Sequence, residues 1–246
     1  SASNIFITGA SRGIGRAVAQ ALGREGHHLC LAARNTEALA EVQDEITRTG
    51  GSASLYAVDV TEPDALRARM LEADDAVGGI DTVVANAGVT VGRWSGKMTF
   101  EDIAPVLDVN IKGAAATMLA LLPRMVARNR GHLVGISSLA QYRATPKMAA
   151  YSGSKAFFSA FMEGLRLDLQ RTGVDITDVR PGFVQTDLVA GMKRMPFLIT
   201  PEQAAQKIVT AIQRRARVAE FPFPMARIVR ALSHLPHAAY ERTMGG

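Results

Sequence analysis

The sequence predicts an α/β fold: a single-domain, doubly wound sheet of about seven parallel strands with helices on both faces, spanning residues 1–246. Three observations predict it. Short apolar runs recur along the chain, as expected of strands buried on both faces. Each run is separated from the next by one or two stretches of helical apolar spacing, which parallel strands need for their crossovers. The first run passes directly into a glycine-rich turn that opens a helix, Thr8-Gly9-Ala10-Ser11-Arg12-Gly13-Ile14-Gly15.

Residues 4–7 form the first strand and 16–22 continue the helix behind the glycine turn. Gly26 stops that helix, and residues 28–33 are the second strand. A helix over 36–48 ends at Thr49-Gly50-Gly51, and 53–58 is the third strand. Thr61 is expected to cap a third helix, with Pro63 in its first turn. Gly78-Gly79 ends it, and 80–85 is the fourth strand. Helical patterns cover 100–109 and 112–128, Gly131 opens a fifth strand at 132–137, and a long helix over 149–172 precedes the sixth strand, 174–179. After an irregular segment come a helix over 202–215 and a last strand, 218–221. Beyond Pro222-Phe223-Pro224, Ile228, Val229, Leu232 and Leu235 recur at helical spacing among Arg227 and Arg230. That tail is expected to dock on its own or a neighbouring subunit rather than on a membrane surface, because its apolar stripe is short.

Composition narrows the function. No run approaches the roughly 18 uninterrupted apolar residues of a membrane span, and the first residues lack the charged and apolar regions of a signal peptide, so a cytoplasmic protein is expected. Ser1 in place of Met points to a trimmed or engineered start, which leaves a removed targeting segment open. Most of the net charge of +5 lies in residues 201–246, with seven Lys or Arg against three Glu, and no nucleic-acid reading motif accompanies it. The five histidines fall at no metal-ligand spacing, so no metal is expected. The single cysteine, Cys30, sits inside an apolar strand and reads as a buried structural thiol.

Sheets of this kind bind ligands outside the carboxyl ends of their strands, and every polar motif of the chain falls at such an end. The turn holding Gly9, Ser11, Arg12, Gly13, Ile14 and Gly15 suits a dinucleotide pyrophosphate, because it presents unpaired helix-start amides to an anion. Its Gly-x-x-x-Gly-x-Gly spacing differs from the Gly-x-Gly-x-x-Gly fingerprint, and by itself the turn also reads as packing. The second strand ends without an acid and with Arg34. An acid there binds ribose hydroxyls and a base accommodates a 2′-phosphate, so Arg34 and Arg12 together favour NADP(H). Asp59-Val60 is expected under the adenine, with Asp59 free to accept from its amino group or simply forming a turn. Asn86-Ala87-Gly88, after the fourth strand, would let the backbone approach the cofactor while Asn86 ties neighbouring strands.

Ser138 stands at the tip of the fifth strand, as a hydroxyl for a developing oxyanion or as a turn former. Tyr151 and Lys155 are four residues apart on one helix face. A Lys155 ammonium, with the charge of an oxidised nicotinamide, would lower the phenol pKa from about 10 and make Tyr151 a general acid/base for a carbonyl/alcohol pair.

Taken together, these motifs resemble the classical short-chain dehydrogenases/reductases, over roughly residues 4–190 and in the family's order. The resemblance implies a Rossmann-type fold, an NADP(H) cofactor and a four-residue site of Asn110, Ser138, Tyr151 and Lys155. In that site Lys155 also holds the nicotinamide ribose and Asn110 places a water in a proton relay. It implies that Pro181-Gly182-Phe183-Val184-Gln185-Thr186 contacts the nicotinamide, with Thr186 on its carboxamide. Cofactor contacts are therefore expected from Pro181, Gly182, Val184 and Thr186 as well. The chain divides into a cofactor half, about 1–130, a catalytic and substrate half, about 131–221, and a helical tail, about 222–246. Ala85, Gln141 and the long tail depart from the family pattern. The expected reaction is hydride exchange between NADP(H) and a carbonyl or secondary alcohol, in a homo-oligomer. The substrate is expected to be a fairly apolar small molecule, with Leu188, Val189, Met192, Met195, Phe197 and Leu198 on one wall and Val91 and Trp94 on the other. A nucleotide-binding protein without turnover is the competing expectation.

Overall fold

The computed structural model describes residues 2–189 and 195–244. Seven strands form one parallel sheet in the order β3-β2-β1-β4-β5-β6-β7. They are β1 Asn4–Thr8, β2 His28–Ala33, β3 Ser52–Ala57, β4 Thr82–Ala85, β5 Gly131–Ile136, β6 Val174–Pro181 and β7 Val218–Phe221. Strand order turns outward in both directions from β1 and β4, which makes their carboxyl ends the switch point where such sheets open a crevice.

Successive side chains of a strand point to opposite faces, so a continuous apolar strand feeds two cores. Ile5, Ile7, Leu29 and Leu31 pack beneath α1 (Gly13–Arg24), α2 (Thr36–Arg48) and α8 (Pro201–Gln213), against Leu22, Leu39 and Ile208. Phe6, Cys30 and Ala32 face the other way, toward Leu66 and Met70 of α3 (Pro63–Ala76), Met118 of α5 (Ala114–Ala120) and Phe158 of α7 (Ala149–Asp168). Each of these large side chains contributes roughly 1.5–3 kcal/mol by burial. Cys30 is fully buried and burial pushes its thiol up to about 12, which fits an inert packing residue.

The expected elements are present, and the differences are local. Thr61 does not cap the third helix: Glu62 occupies that position, and the Thr61 hydroxyl and amide both bond Asp59 Oδ1, at 2.8 and 2.9 Å. The patterns over 100–109 and 112–128 merge into one nearly continuous helical stretch, Phe100–Ala127. It runs through α4 (Phe100–Leu107), a π-helical segment at Asp108–Gly113, α5 and α6 (Leu122–Ala127). Its 28 residues include an 18-residue window of mean hydropathy 1.3, enough to cross a membrane by length and composition, yet its apolar side chains Val106, Met118, Leu121 and Met125 are buried in the core. The tail forms α9 (Phe223–Ser233) and α10 (His237–Met244). It is docked on its own chain, with Tyr240 donating to the Ala144 carbonyl at 2.8 Å and the Arg143 guanidinium lying 4.6 Å from the Tyr240 ring centre.

One buried group sets a pH limit on the fold. His132, on β5, is 1% exposed and its Nε2 meets Thr177 Oγ1 at 2.8 Å. Burial, reinforced by nearby Arg215, pushes its pKa down to about 4 from the ordinary 6.5. The folded state therefore binds its proton later than the unfolded chain does, and stability falls as pH drops from about 6.5 toward 4, by about 3 kcal/mol in all. Urea unfolding at pH 7.5 and pH 5 checks this. His132→Gln is expected to flatten the slope, and an unchanged slope would refute the assignment.

Candidate active site

One open cleft of about 640 Å³ runs along the carboxyl ends of the strands, from the glycine turn to α7. Gly9, Ser11, Arg12, Gly13 and Ile14 line one end, and Ser138, Tyr151 and Lys155 line the other. Arg34, Asp59 and Val60, after β2 and β3, flank the glycine turn at that same end; Asn86, Ala87 and Gly88, after β4, lie between the two ends, and Pro181, Gly182, Val184 and Thr186 come after β6. The topology has thus collected motifs from six strand ends.

The glycine turn is shaped by close contacts. Gly9 has a φ of +65°, and a Cβ on it would meet Ala87 Cα at 2.9 Å. Gly15 does not line the cleft: a Cβ there would fall 2.3 Å from the Gly9 carbonyl oxygen, so its role is packing α1 onto the turn. Asn86 Nδ2 donates to the Thr8 and Gly9 carbonyls, both at 3.1 Å, and stitches β4 to the turn as expected. No side chain caps the start of α1, so its first amides are left free for a ligand in the cleft. That arrangement fits a dinucleotide pyrophosphate.

Both cleft cations have carboxylate partners. Arg12 pairs with Asp187 at 2.9 Å, and Arg34 lies 3.6 Å from Asp59. Asp59 is therefore not a free acceptor: it holds Thr61 and faces Arg34, which together keep its carboxyl below the usual range against the opposing effect of burial. Asp187 was invisible as a partner in the sequence because it lies 175 residues from Arg12.

At the other end, Ser138 Oγ accepts from the Ala140 amide at 3.1 Å and donates toward the Pro181 carbonyl at 3.4 Å. It forms the turn and lines the cleft together with the Tyr151 phenol. Lys155 is 5% exposed, donates to the Ile136 carbonyl at 2.9 Å, and sits 5.8 Å from the Tyr151 ring centre. Burial raises the Tyr151 pKa, and the neighbouring Ser138 hydroxyl opposes that rise. Burial also lowers Lys155 to about 8, with the Asp178 carboxylate opposing that fall. The expected lowering of the phenol by Lys155 does not dominate over burial, because the ammonium bonds a backbone carbonyl and lies 5.8 Å from the ring centre.

The Asn110 side chain ties two elements together. Its Oδ1 accepts from the Val89 amide at 2.9 Å, and its Nδ2 donates to the Val89 carbonyl at 2.9 Å and Ser154 Oγ at 3.0 Å. Both amide N–H groups and one acceptor site of Oδ1 are used in tying the loop after β4 to α7, which leaves Oδ1 a second acceptor site. The π-helical segment that carries it aims it inward; such segments frequently sit at functional sites. A Cβ on Gly88 would lie 3.6 Å from Asn110 Oδ1 and 3.7 Å from Lys155 Nζ, so Gly88 lies between the two.

The substrate walls are only partly where expected. Leu188 and Val189 line the cleft. Trp94 (61% exposed) and Phe197 (47% exposed) point to solvent, and neither they nor the half-buried Val91 line it. Large apolar residues next to a motif suggested walls, but the Trp94 ring lies over Gly96 instead. Met192 falls outside the described residues.

The family model described as short chain dehydrogenase matches residues 3–196. The chain belongs to the short-chain dehydrogenase/reductase family. It is 42% identical over 237 residues to an uncharacterized oxidoreductase of Myxococcus xanthus, covering 96% of this chain and 94% of that one. Among solved structures it is similar to a short-chain dehydrogenase/reductase of Burkholderia phymatum in complex with NAD (25% identity, TM-score 0.86, covering 94% of this chain and 92% of that one). It is also similar to an alcohol dehydrogenase of the archaeon Thermococcus sibiricus complexed with 5-hydroxy-NADP (26% identity, TM-score 0.81, covering 90% and 95%). As a short-chain dehydrogenase/reductase the protein is an oxidoreductase that binds a nicotinamide cofactor and acts on small molecules.

Proposed function

We propose that this oxidoreductase reduces a carbonyl of a fairly apolar small molecule with NADPH, Tyr151 acting as general acid. The observation that carries the reading is the convergence of Ser138, Tyr151 and Lys155 on one end of a cleft whose other end holds Arg12 and Arg34. A bound nicotinamide would supply the hydride. The chain's own residues do the rest. The amides at the start of α1 hold the pyrophosphate, and Arg12 and Arg34 exchange their carboxylate partners for the 2′-phosphate, a charge-assisted contact stronger than an exposed ion pair. Ser138 donates to the carbonyl oxygen of the substrate as negative charge develops on it. Tyr151, whose raised pKa keeps its proton at neutral pH, delivers that proton to the same oxygen. Lys155 stabilises the phenolate left behind.

Leu188 and Val189 on the cleft wall support an apolar substrate. The test follows NADPH absorbance against a panel of ketones and aldehydes of increasing apolar size. Consumption with at least one of them, and much weaker consumption of NADH, is the expected result. Tight NADPH binding without turnover on any member would replace the reading with that of a binding module.

A further inference from the structure

Among the described residues, Asp74, Asp178 and Lys155 are the carboxylates and ammonium that the fold buries. Asp74 is accounted for by Arg124 and Arg128, each at 2.8 Å, and by the Ile80 amide at 2.7 Å. The other two lie close together behind the site. Lys155 has a single acceptor, the Ile136 carbonyl, at the end of β5. Asp178 is 1% exposed on the adjoining β6, paired in register with Gly135. Its Oδ1 accepts from the Ser137 hydroxyl at 2.6 Å and its Oδ2 from Arg180 Nε at 2.7 Å. Ser159, one turn beyond Lys155 on α7, donates to Ser137 Oγ at 3.1 Å.

A buried ammonium needs a compensating negative charge to stay protonated, and Asp178 is the carboxylate whose field opposes the desolvation of Lys155. Arg180 cancels that field only in part, because it is shared: its Nη1 also bonds Tyr142 Oη at 2.8 Å and Glu220 Oε1 at 3.1 Å. The other charges around this cluster are Arg166 on α7, which also feels Asp178, Arg217 beside it, and Arg230 on α9, 3.7 Å from Glu220. Ser137 lies between Ile136, which receives Lys155, and Ser138, which lines the cleft with the phenol, so the carboxylate bonds the residue that joins the anchors of both partners of Tyr151.

We propose that Asp178 is a positioning residue for the reaction: from one strand away it supplies the buried counter-charge of the Lys155 ammonium and, through Ser137, fixes the strand end that carries Ser138. The proposal rests on the acid/base reading of Tyr151 and Lys155 given above.

The test reads the Lys155 side chain directly, by carbon NMR of ¹³C-lysine-labelled, cofactor-free protein, its resonance being the one lost in Lys155→Met. In the wild type it titrates near pH 8. Asp178→Asn is expected to lower that midpoint by roughly one pH unit, and Arg180→Gln, which frees the Asp178 charge, to raise it. The alkaline limb of the kcat profile for NADPH-dependent reduction moves in the same two directions, while KM for NADPH stays put. Midpoints unmoved in both variants, or a uniform loss of kcat with an unmoved limb, would mean a purely structural carboxylate and overturn the proposal. If Asp178→Asn does not fold, the direction of the Arg180→Gln shift decides. A wild-type Lys155 already neutral at pH 7 overturns it with no variant at all. Failure of the acid/base reading is distinguishable, because it appears as absent turnover while the lysine titration still answers.

Discussion

Replacing Tyr151 with Phe is expected to lower kcat for carbonyl reduction by roughly 10³-fold, the scale of a lost general acid. The substitution removes one oxygen and keeps the ring, so the packing of α7 is retained and the half-buried ring still lines the cleft. KM for NADPH should change little, since the glycine turn and the arginines lie at the other end of the cleft. Ser138 would still donate to the carbonyl oxygen, which is why a residual rate is expected. Stopped-flow measurement of NADPH oxidation under single-turnover conditions isolates the chemical step from product release. Full activity in Tyr151→Phe would remove the phenol from the mechanism and leave a cleft that only binds.

The second large effect concerns the cofactor. Arg12→Ala with Arg34→Ala is expected to weaken NADPH binding about 100-fold, equivalent to about 2.7 kcal/mol, and to leave NADH binding nearly unchanged. The size follows from what each cation meets before and after binding. In the cofactor-free protein Arg12 and Asp187 are 68% and 77% exposed, so their pair is worth little and breaking it costs little. A 2′-phosphate offers two charges and three acceptor oxygens in its place. Once the arginines are gone, Asp59 and Asp187 remain as unneutralised carboxylates on the cleft, and they repel the same phosphate. Isothermal titration with both cofactors measures the ratio. Equal losses for NADPH and NADH would show that the arginines serve the pyrophosphate or the fold instead, and that the preference for the phosphorylated cofactor has another origin.

Much of this was legible in one dimension, for reasons that differ from motif to motif. Parallel strands are buried on both sides, so residues 29–33 and 133–136 carry runs without a polar side chain that the sequence alone reveals. Helix geometry places residues four apart on one face, so Tyr151 and Lys155 declare their pairing without coordinates. The glycine turn is recognisable because positions such as Gly9, with its positive φ, tolerate little else. The missed cap at Thr61 is a competition between two local hydrogen bonds, and Asp59, two residues earlier, wins it. The misplaced walls at Trp94 and Phe197 show that an apolar side chain beside a motif says nothing of the direction in which its loop turns.

The sequence by itself determined the sheet, the order of its motifs, the end of the sheet where they gather and the family to which the chain belongs. Local spacing and burial on both faces are properties of short segments, and they survive without knowledge of the fold. The tertiary structure alone decided which charges meet. Arg12 finds Asp187, Asn110 is spent on Val89 and Ser154, and Asp178 is buried against Ser137 beside the lysine of the site. Those encounters join residues tens to hundreds of positions apart. Electrostatic energy depends on distance in space and on the surrounding dielectric, and neither can be read from position along the chain.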